Sequence, residues 1–368
     1  PFFYDLWYLY EHGKAQSVDT HVNEYMYEFD GRNIGKLKNV VFIYAESLEG
    51  SYFEEKRIPG LMLELGKLAP SALRFEGLAQ APMTGWTIAG MTASQCGIPL
   101  AVSGKRDNSL DRMSRFIPGK ACVGDVLSRK GYALTYMGGA DLQFAGKGKF
   151  YAQHGFDQVM GKKELEQYAG KTLPGSSWGV YDDELFPLLK MRLQELVRDQ
   201  DPSPFALFAL TLDTHAPQGH ETPSCIDRGI QYGDGSSSML NAVVCADYLI
   251  ADFIRWFVNS DLSENTLLVV ASDHLVMRND AGLDGGDKTR ENLFWVFGSD
   301  QPPRVINRQG TTLDIAPTVL SLMGFDARGF GLGRNLLGGE PTLAEKFGKE
   351  RFYSNLFGWR RQMWESWK

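Results

Sequence analysis

Short runs of apolar residues recur along the chain, and each run ends abruptly in polar or glycine residues. A run of about four to eight apolar residues that does not alternate with polar ones is typical of a strand buried on both faces. The pattern therefore predicts buried strands at residues 40–45, 132–137, 205–212, 266–271 and 292–297.

The stretches between these runs have the length and spacing of helices, as at residues 119–130, 182–198, 238–259 and 311–323. Strands that alternate with helices predict the α/β class, with a mostly parallel central sheet flanked by helices on both faces. Such sheets bind ligands at the carboxyl ends of their strands. Glu46, His215, Asp273 and His274 follow predicted strands, so we expect them at one edge, beside a Gly- and Ser-rich loop at residues 225–238.

Composition narrows the function without naming it. The 368 residues carry a net charge of −7, which argues against a nucleic-acid binder with a basic face. No run of about 18 apolar residues is present, so no membrane-spanning helix is predicted. Four cysteines without C-x-x-C spacing leave two alternatives open, two disulfides in an oxidising compartment or four free thiols.

Both ends of the chain differ in composition from its middle. Because the sequence begins with Pro1 rather than Met, we expect a fragment or a processed product. Aromatic residues 1–14 suit a juxtamembrane segment, where Tyr and Trp favour the interface, or a helix packed on the core. We therefore divide the chain into an aromatic juxtamembrane segment (residues 1–32), a main domain (33–340) and an aromatic, basic tail (341–368). The two end segments are predicted to be small terminal appendages.

A metal site is the first chemical hypothesis. Asp273 and His274 directly follow one predicted strand, and Glu46 follows another. Carboxylate and imidazole ligands suit Mn²⁺, Mg²⁺ or Zn²⁺. An Asp-His pair alone is more often a helix cap or a hydrogen-bonded turn, and its combination with Glu46 favours the metal site.

Thr84 is the candidate nucleophile. It lies between Pro82 and Gly85 in APMTGWTIAGMTASQCGIP, before a helix of small residues. A hydroxyl at a helix N-terminus lies among N–H groups that also stabilise an anion, and a metal ion lowers its pKa. The alternative is that Thr84 only caps the helix. We expect Thr84 to be both nucleophile and metal ligand, with Thr87 as the next candidate.

Together these segments resemble a known family. IYAES with Glu46, MTGWT with Thr84, and SDH with Asp273 and His274 resemble the lipoteichoic acid synthases and phosphoglycerol transferases. These enzymes form a sulfatase-like branch of the alkaline phosphatase superfamily. LTLDTH with His215 resembles a segment that supplies a substrate-binding histidine, and TTLDIAPTVLSLMGF followed by GRNLL resembles a late helix and loop. The resemblance covers roughly residues 33–340.

The resemblance implies an alkaline phosphatase/sulfatase-like catalytic domain that holds one divalent metal ion, with Mn²⁺ preferred. It implies that His215 binds the substrate phosphate or assists proton transfer. It also implies a periplasmic domain of an inner-membrane-anchored protein, with residues 1–10 as part of the tether. In that compartment we expect the disulfides Cys96–Cys122 and Cys225–Cys245.

Departures from the family pattern shape the expected substrate. The C/S-x-P-x-R motif of sulfatases is absent around Thr84, which argues against sulfate ester cleavage. Lipoteichoic acid synthases place His, Trp and Arg after the second predicted strand, whereas GGADLQFAGKGKF has none of these. We expect Lys147 to replace the arginine as a point-charge contact with phosphate and Asp141 to replace another substrate contact. Trp86 is expected to line the acceptor site.

The reaction implied by the resemblance is transfer of glycerophosphate from phosphatidylglycerol to periplasmic glucans through a covalent intermediate on threonine. Phosphoethanolamine transfer and polyglycerophosphate synthesis of the lipoteichoic acid type are alternatives within the same chemistry. An inactive glucan-binding or sensor ectodomain is an alternative of another class, and the presence of Glu46, Thr84, Asp273 and His274 argues against it.

Overall fold

A computed structural model describes residues 21–100, 110, 115–198, 203–284 and 290–365. The predicted tether at residues 1–10 lies outside the described residues. The strands are β1 (Asn39–Ala45), β2 (Leu73–Ala79), β3 (Ala133–Gly138), β4 (Gln158–Met160), β5 (Phe205–Leu210), β6 (Thr266–Ser272), β7 (Phe294–Phe297), β8 (Arg304–Thr311), β9 (Gly329–Phe330) and β10 (Gly333–Arg334).

Over the described ranges, β1 to β8 form one sheet in the order β4-β3-β5-β1-β6-β7-β2-β8. Neighbouring strands are parallel except at β7, which is antiparallel to both β6 and β2. Strands β9 and β10 form a small antiparallel pair. The predicted α/β fold with a mostly parallel central sheet is confirmed.

The central strands are apolar on both faces because each face meets its own hydrophobic core. Side chains alternate across a strand. Val40, Phe42 and Tyr44 accordingly belong to one core, whereas Val41 and Ile43 belong to the other. All five side chains are at most 2% exposed, which accounts for the unbroken apolar run that predicted β1.

Helices cover both faces of the sheet. They are α1 (Leu63–Leu68), α2 (Thr87–Cys96), α3 (Val123–Arg129), α4 (Lys147–Gln153), α5 (Lys162–Ala169), α6 (Asp182–Arg198), α7 (Pro223–Asp227), α8 (Ser238–Val258), α9 (Ile315–Leu322), α10 (Leu343–Phe347) and α11 (Lys349–Glu365). The core that contains Phe42 receives side chains from α2, α3, α4, α9, α10 and α11. The core that contains Ile43 receives side chains from α1, α5, α6 and α8.

The described parts of both chain ends pack on the domain. Val22 donates its backbone N–H to Gln362 Oε1 over 2.9 Å, and the rings of Tyr25 and Trp359 stack with centroids 5.2 Å apart. Trp359 is fully buried. Residues 341–365 therefore contribute α10 and α11 to the core. In the part of the chain that the structure describes, no helix combines the length and apolarity needed to cross a bilayer.

Two disulfides join helices to their neighbours. Cys96, the last residue of α2, pairs with Cys122, which immediately precedes α3. Cys225 in α7 pairs with Cys245 in α8. Both predicted pairings are confirmed, and the alternative of four free thiols is wrong.

Helix α2 approaches the loop after β6 so closely that one position must be glycine. A Cβ atom on Gly90 would lie 1.7 Å from the backbone oxygen of Asp273, far inside van der Waals contact. Glycine therefore allows the helix and the Asp273 loop to touch backbone to backbone.

We expect Gly90→Ala to destabilise the domain, because the added methyl group can be placed only by moving α2 away from Asp273. The free energy of unfolding, measured by chemical denaturation, should fall by about 1–3 kcal/mol or more. Gly66→Ala is the matched control, since Gly66 is exposed in α1 and a Cβ there meets no atom within 4 Å. The control should be neutral or stabilising by up to about 1 kcal/mol. Equal stability of the two variants would contradict this packing.

Candidate functional site

Three ionisable side chains meet where β1 and β6 end. These strands are parallel neighbours with Ala45 opposite Ser272, so the residues that follow them emerge side by side. Glu46, Asp273 and His274 can each offer a ligand atom to one point, with those atoms within 4.8 Å of one another. His274 Nε2 lies 3.3 Å from Glu46 Oε1 and 3.3 Å from Asp273 Oδ2. We call these three residues the Glu46 cluster.

Backbone contacts orient the cluster. Asp273 Oδ1 accepts hydrogen bonds from the backbone N–H groups of Ser47 at 2.9 Å and His274 at 2.8 Å. Ser47 has a φ of 56°, a left-handed conformation that is uncommon for a residue with a side chain and is often found at functional sites. His274 Nδ1 lies 2.8 Å from the backbone oxygen of Leu275. Because that carbonyl only accepts, Nδ1 carries a proton, and Nε2 is the nitrogen that a neutral ring would offer to a metal ion.

Two atoms of the cluster are left without hydrogen-bond partners. Asp273 Oδ2 and His274 Nε2 are buried and make no hydrogen bond, although buried polar atoms nearly always make one. Two carboxylates and a neutral imidazole carry a charge of about −2, which a divalent cation balances. The donor set and the orphaned atoms therefore fit a bound divalent metal ion.

The pKa directions express the same excess of negative charge. Burial and the nearby carboxylate of Glu46 raise the pKa of Asp273 to about 7. Burial would lower the pKa of His274, but Asp273 and Glu46 outweigh it and raise the pKa to about 9. Burial would raise the pKa of Glu46, yet His274 outweighs it and the pKa falls to about 2. A cation bound among these groups would relieve the same repulsion.

The two candidate threonines differ in what they contact. Thr84 is fully buried, and its hydroxyl donates to the backbone oxygen of Ala81 over 2.7 Å. Thr87 is partly exposed, and its hydroxyl donates to Glu46 Oε2 over 3.3 Å. Helix α2 begins at Thr87 and not directly after Thr84. The helix N-terminus and the metal-site contact that motivated the choice of Thr84 therefore belong to Thr87.

Two predicted phosphate contacts lie within electrostatic range of the cluster. His215 lowers the pKa of Glu46, and its own Nδ1 donates to the Ala216 oxygen over 2.7 Å. Lys147 is only 3% exposed. Burial lowers its pKa to about 8, although the charges of Glu46, Asp273 and other carboxylates oppose that shift.

The other two predicted substrate contacts are Asp141, which is exposed, and Trp86, which is partly buried. Asp141 is exposed, and its Oδ1 accepts a hydrogen bond from the backbone N–H of Gln143 at 2.8 Å. Trp86 immediately precedes α2, is partly buried and packs against the hydrophobic core. Core packing is the ordinary role of a tryptophan near a helix start, and a substrate contact by Trp86 stays a prediction.

The sequence interpretation missed Trp178. Its indole lies over the imidazole of His215, with ring centroids 3.9 Å apart and planes 31° apart. Phe144 meets the same indole edge to face at 5.9 Å. Trp178 lies in the irregular segment GSSWGV, where no periodicity marks it. A large aromatic residue among small ones in a loop was the available signal.

A second cluster near α3 has the composition of a metal site but not its chemistry. Cys122, Asp125 and His154 come together. Cys122 is disulfide-bonded and therefore offers no thiolate. Asp125 Oδ2 accepts from the Cys122 N–H at 2.8 Å and lies 2.7 Å from His154 Nδ1. These contacts cap a helix and explain the cluster as structural.

Comparison with known proteins assigns the chain to a family. The family model described as Sulfatase matches residues 38–325. Phosphoglycerol transferase I of Xanthomonas campestris pv. campestris (strain B100) is 39% identical over 343 residues, covering 92% of this chain and 49% of that protein. Phosphoglycerol transferase I of Escherichia coli (strain SMS-3-5 / SECEC) is 37% identical over 331 residues, covering 90% of this chain and 42% of that protein. The chain thus spans about half the length of the curated relatives it matches.

Solved structures agree on the fold. A protein in the alkaline phosphatase superfamily from Vibrio parahaemolyticus superposes with a TM-score of 0.67 at 25% identity, over 84% of this chain and 72% of that one. The lipoteichoic acid synthase LtaP from Listeria monocytogenes superposes with a TM-score of 0.67 at 17% identity, over 86% of this chain and 80% of that one. The resemblance drawn from short motifs is thereby confirmed, and because the matched region covers most of its length, the chain belongs to the Sulfatase family.

Proposed function

We propose that this chain catalyses metal-dependent transfer of glycerophosphate from phosphatidylglycerol to an acceptor hydroxyl, through a covalent intermediate on Thr87. The observation that carries the proposal is the contact between the Thr87 hydroxyl and Glu46 Oε2, 3.3 Å long, at the first residue of α2. The relatives named phosphoglycerol transferase I support glycerophosphate as the transferred group.

Glu46, Asp273 and His274 would hold the metal ion, with the oxygen of Thr87 in place of the predicted Thr84. Mn²⁺ is preferred and Mg²⁺ or Zn²⁺ is possible, since all three accept mixed carboxylate and imidazole ligands. When bound, such an ion lowers the pKa of a coordinated hydroxyl and offsets negative charge on a phosphoryl group.

In the first step, the Thr87 oxygen attacks phosphorus, and the bond from phosphorus to the diacylglycerol oxygen breaks. Thr87 loses its hydroxyl proton and the diacylglycerol oxygen gains one, so diacylglycerol and a glycerophosphoryl-threonine result. The N-terminal N–H groups of α2 surround the phosphoryl oxygens. Lys147 and His215 are proposed to bind those oxygens, because both lie in range of the Glu46 cluster.

In the second step, an acceptor hydroxyl attacks the same phosphorus and releases the Thr87 oxygen. The acceptor loses a proton and Thr87 regains one. His215 is proposed to exchange these protons through Nε2, which is the unprotonated nitrogen of the neutral ring because Nδ1 donates to Ala216. A glucan hydroxyl is the proposed acceptor, since the loop that contains Asp141 and Lys147 offers few of the cationic contacts that a polyglycerophosphate chain requires.

The location follows from the sulfur chemistry and the lipid donor. Two disulfides are typical of an oxidising compartment, and a phosphatidylglycerol donor requires access to a membrane surface. We therefore propose that this domain lies in the periplasm, in a protein anchored to the inner membrane. An inactive glucan-binding or sensor ectodomain is disfavoured, because such a protein has no need of orphaned buried ligand atoms beside a hydroxyl.

Thr87→Ala should abolish the covalent intermediate, because it removes the attacking oxygen. Intact-mass analysis of the complete protein after incubation with phosphatidylglycerol should show a glycerophosphoryl adduct on the wild type and none on this variant. Thr87→Ser should restore it in part. Thr84→Ala is the matched control and should still form the adduct, with a stability loss of about 1–3 kcal/mol from the missing buried hydrogen bond. An adduct on Thr87→Ala and none on Thr84→Ala would reinstate Thr84 as nucleophile.

The acceptor is tested by competition. With labelled phosphatidylglycerol as donor, we expect purified periplasmic β-glucan to take up more label than a glycerolipid acceptor present at the same concentration. Transfer to the glucan should stop with Thr87→Ala. Label that grows into long polyglycerophosphate on the lipid, or that appears only as phosphoethanolamine when phosphatidylethanolamine is the donor, would overturn the glucan assignment.

A further inference from the structure

Phe144 and Trp178 form an exposed aromatic platform beside the Glu46 cluster. Phe144 is 37% exposed, an unusual state for a large apolar side chain, and Trp178 is partly exposed. The two rings meet at 5.9 Å, so they present one continuous apolar surface. Exposed aromatic surface in loops at the carboxyl edge of such a sheet is typical of ligand contact.

The backbone holds both rings rigidly. Trp178 lies in a tight turn in which Gly175 pairs with Val180 and the Val180 N–H donates to Gly139 over 3.0 Å. A Cβ on Gly179 would lie 2.1 Å from the Gly139 oxygen, so this turn is braced against the end of β3. Phe144 precedes Ala145, whose φ of 56° is costly for alanine. Rigid rings lose little entropy when a ligand binds.

The platform is continuous with the proposed phosphate contacts. The Lys147 ammonium lies 4.6 Å from the Phe144 ring centroid, and the Trp178 indole stacks on His215 at 3.9 Å. Lys147 and His215 each interact electrostatically with Glu46. A ligand on the platform therefore has one end within reach of the reacting phosphorus.

Exposed polar side chains surround the platform. Asp141, Gln143 and Ser177 are exposed along the same two loops. A sugar ring presents C–H groups on its face and hydroxyl groups at its rim, which matches an aromatic surface edged by carboxylate, amide and hydroxyl groups. A polyglycerophosphate chain has no such apolar ring face.

We propose that Phe144 and Trp178 are the acceptor subsite, on which a neutral sugar ring stacks while its hydroxyl reaches the phosphorylated threonine. This inference rests on the proposed transfer function for its chemistry, but the binding of sugar at the platform is measurable without any donor. Trp178 also stacks on the imidazole of His215. Substitution of Trp178 should therefore affect both formation of the threonine adduct and transfer to the acceptor.

Calorimetric titration of the complete protein with unsubstituted periplasmic β-glucan, without phosphatidylglycerol, tests the subsite directly. Phe144→Ala and Trp178→Ala should each weaken glucan binding by about threefold to tenfold, and Trp178→Phe should retain most of it. Trp256→Ala is the matched control, because Trp256 is also partly buried with a lysine over its ring, Lys190 Nζ at 5.5 Å, but lies near the C-terminal end of α8. It should bind glucan as the wild type does.

Single-turnover rates separate a subsite from a merely structural role. In Phe144→Ala, transfer to glucan should fall by a larger factor than formation of the threonine adduct. Equal loss in both steps, unchanged glucan binding in both alanine variants, or no glucan binding by the wild type would overturn the subsite. If the wild type forms no adduct but the variants still lose glucan binding, the transfer function is wrong and the sugar subsite stands.

Discussion

The site depends on one electrostatic constraint, the burial of two carboxylates against a single imidazole. Glu46 and Asp273 are both 1% exposed, and each lies within contact distance of His274 Nε2. Charges of like sign in a low-dielectric interior cost several kcal/mol unless a cation offsets them. The backbone relieves only part of this cost, because two N–H groups donate to Asp273 Oδ1 whereas Asp273 Oδ2 and His274 Nε2 have no hydrogen-bond partners. A divalent ion bound between these side chains would offset the rest of the cost.

Much of the architecture serves to keep that place in position. The parallel register of β1 and β6 brings Glu46 and Asp273 together, and the left-handed turn at Ser47 supplies an N–H to Asp273. Gly90 lets α2 touch the Asp273 loop, so the start of that helix reaches Glu46 through Thr87. The disulfide at Cys96 then ties the other end of the helix to its neighbour. Each feature restrains the geometry that the proposed phosphoryl transfer needs.

The sequence predicted the parts of this structure that leave a pattern. Buried strands such as β1 and β6 are continuous apolar runs, so their ends, and with them Glu46 and Asp273, could be found. Strand β8 contains Arg304, Asn307 and Arg308, and six of its eight residues are exposed or partly exposed, so its polar sequence concealed it. The antiparallel direction of β7 depends on partners far along the chain. The proposal of Thr87 as nucleophile in place of Thr84 depends on the residue at which α2 begins, and helix boundaries are poorly determined by local sequence. Trp178 meets His215 only through the tertiary fold.

The central claim is that the Glu46 cluster binds one divalent metal ion, and direct titration tests it. We expect the chelator-treated wild type to bind one equivalent of Mn²⁺ and to gain thermal stability on binding. Glu46→Gln and His274→Gln should weaken binding by more than the roughly 10–100-fold that loss of a supporting contact costs. His154→Gln, in the cluster with Cys122, should bind as the wild type does. Failure of the wild type to bind Mn²⁺, Mg²⁺ or Zn²⁺, or equal binding by Glu46→Gln, would contradict the account.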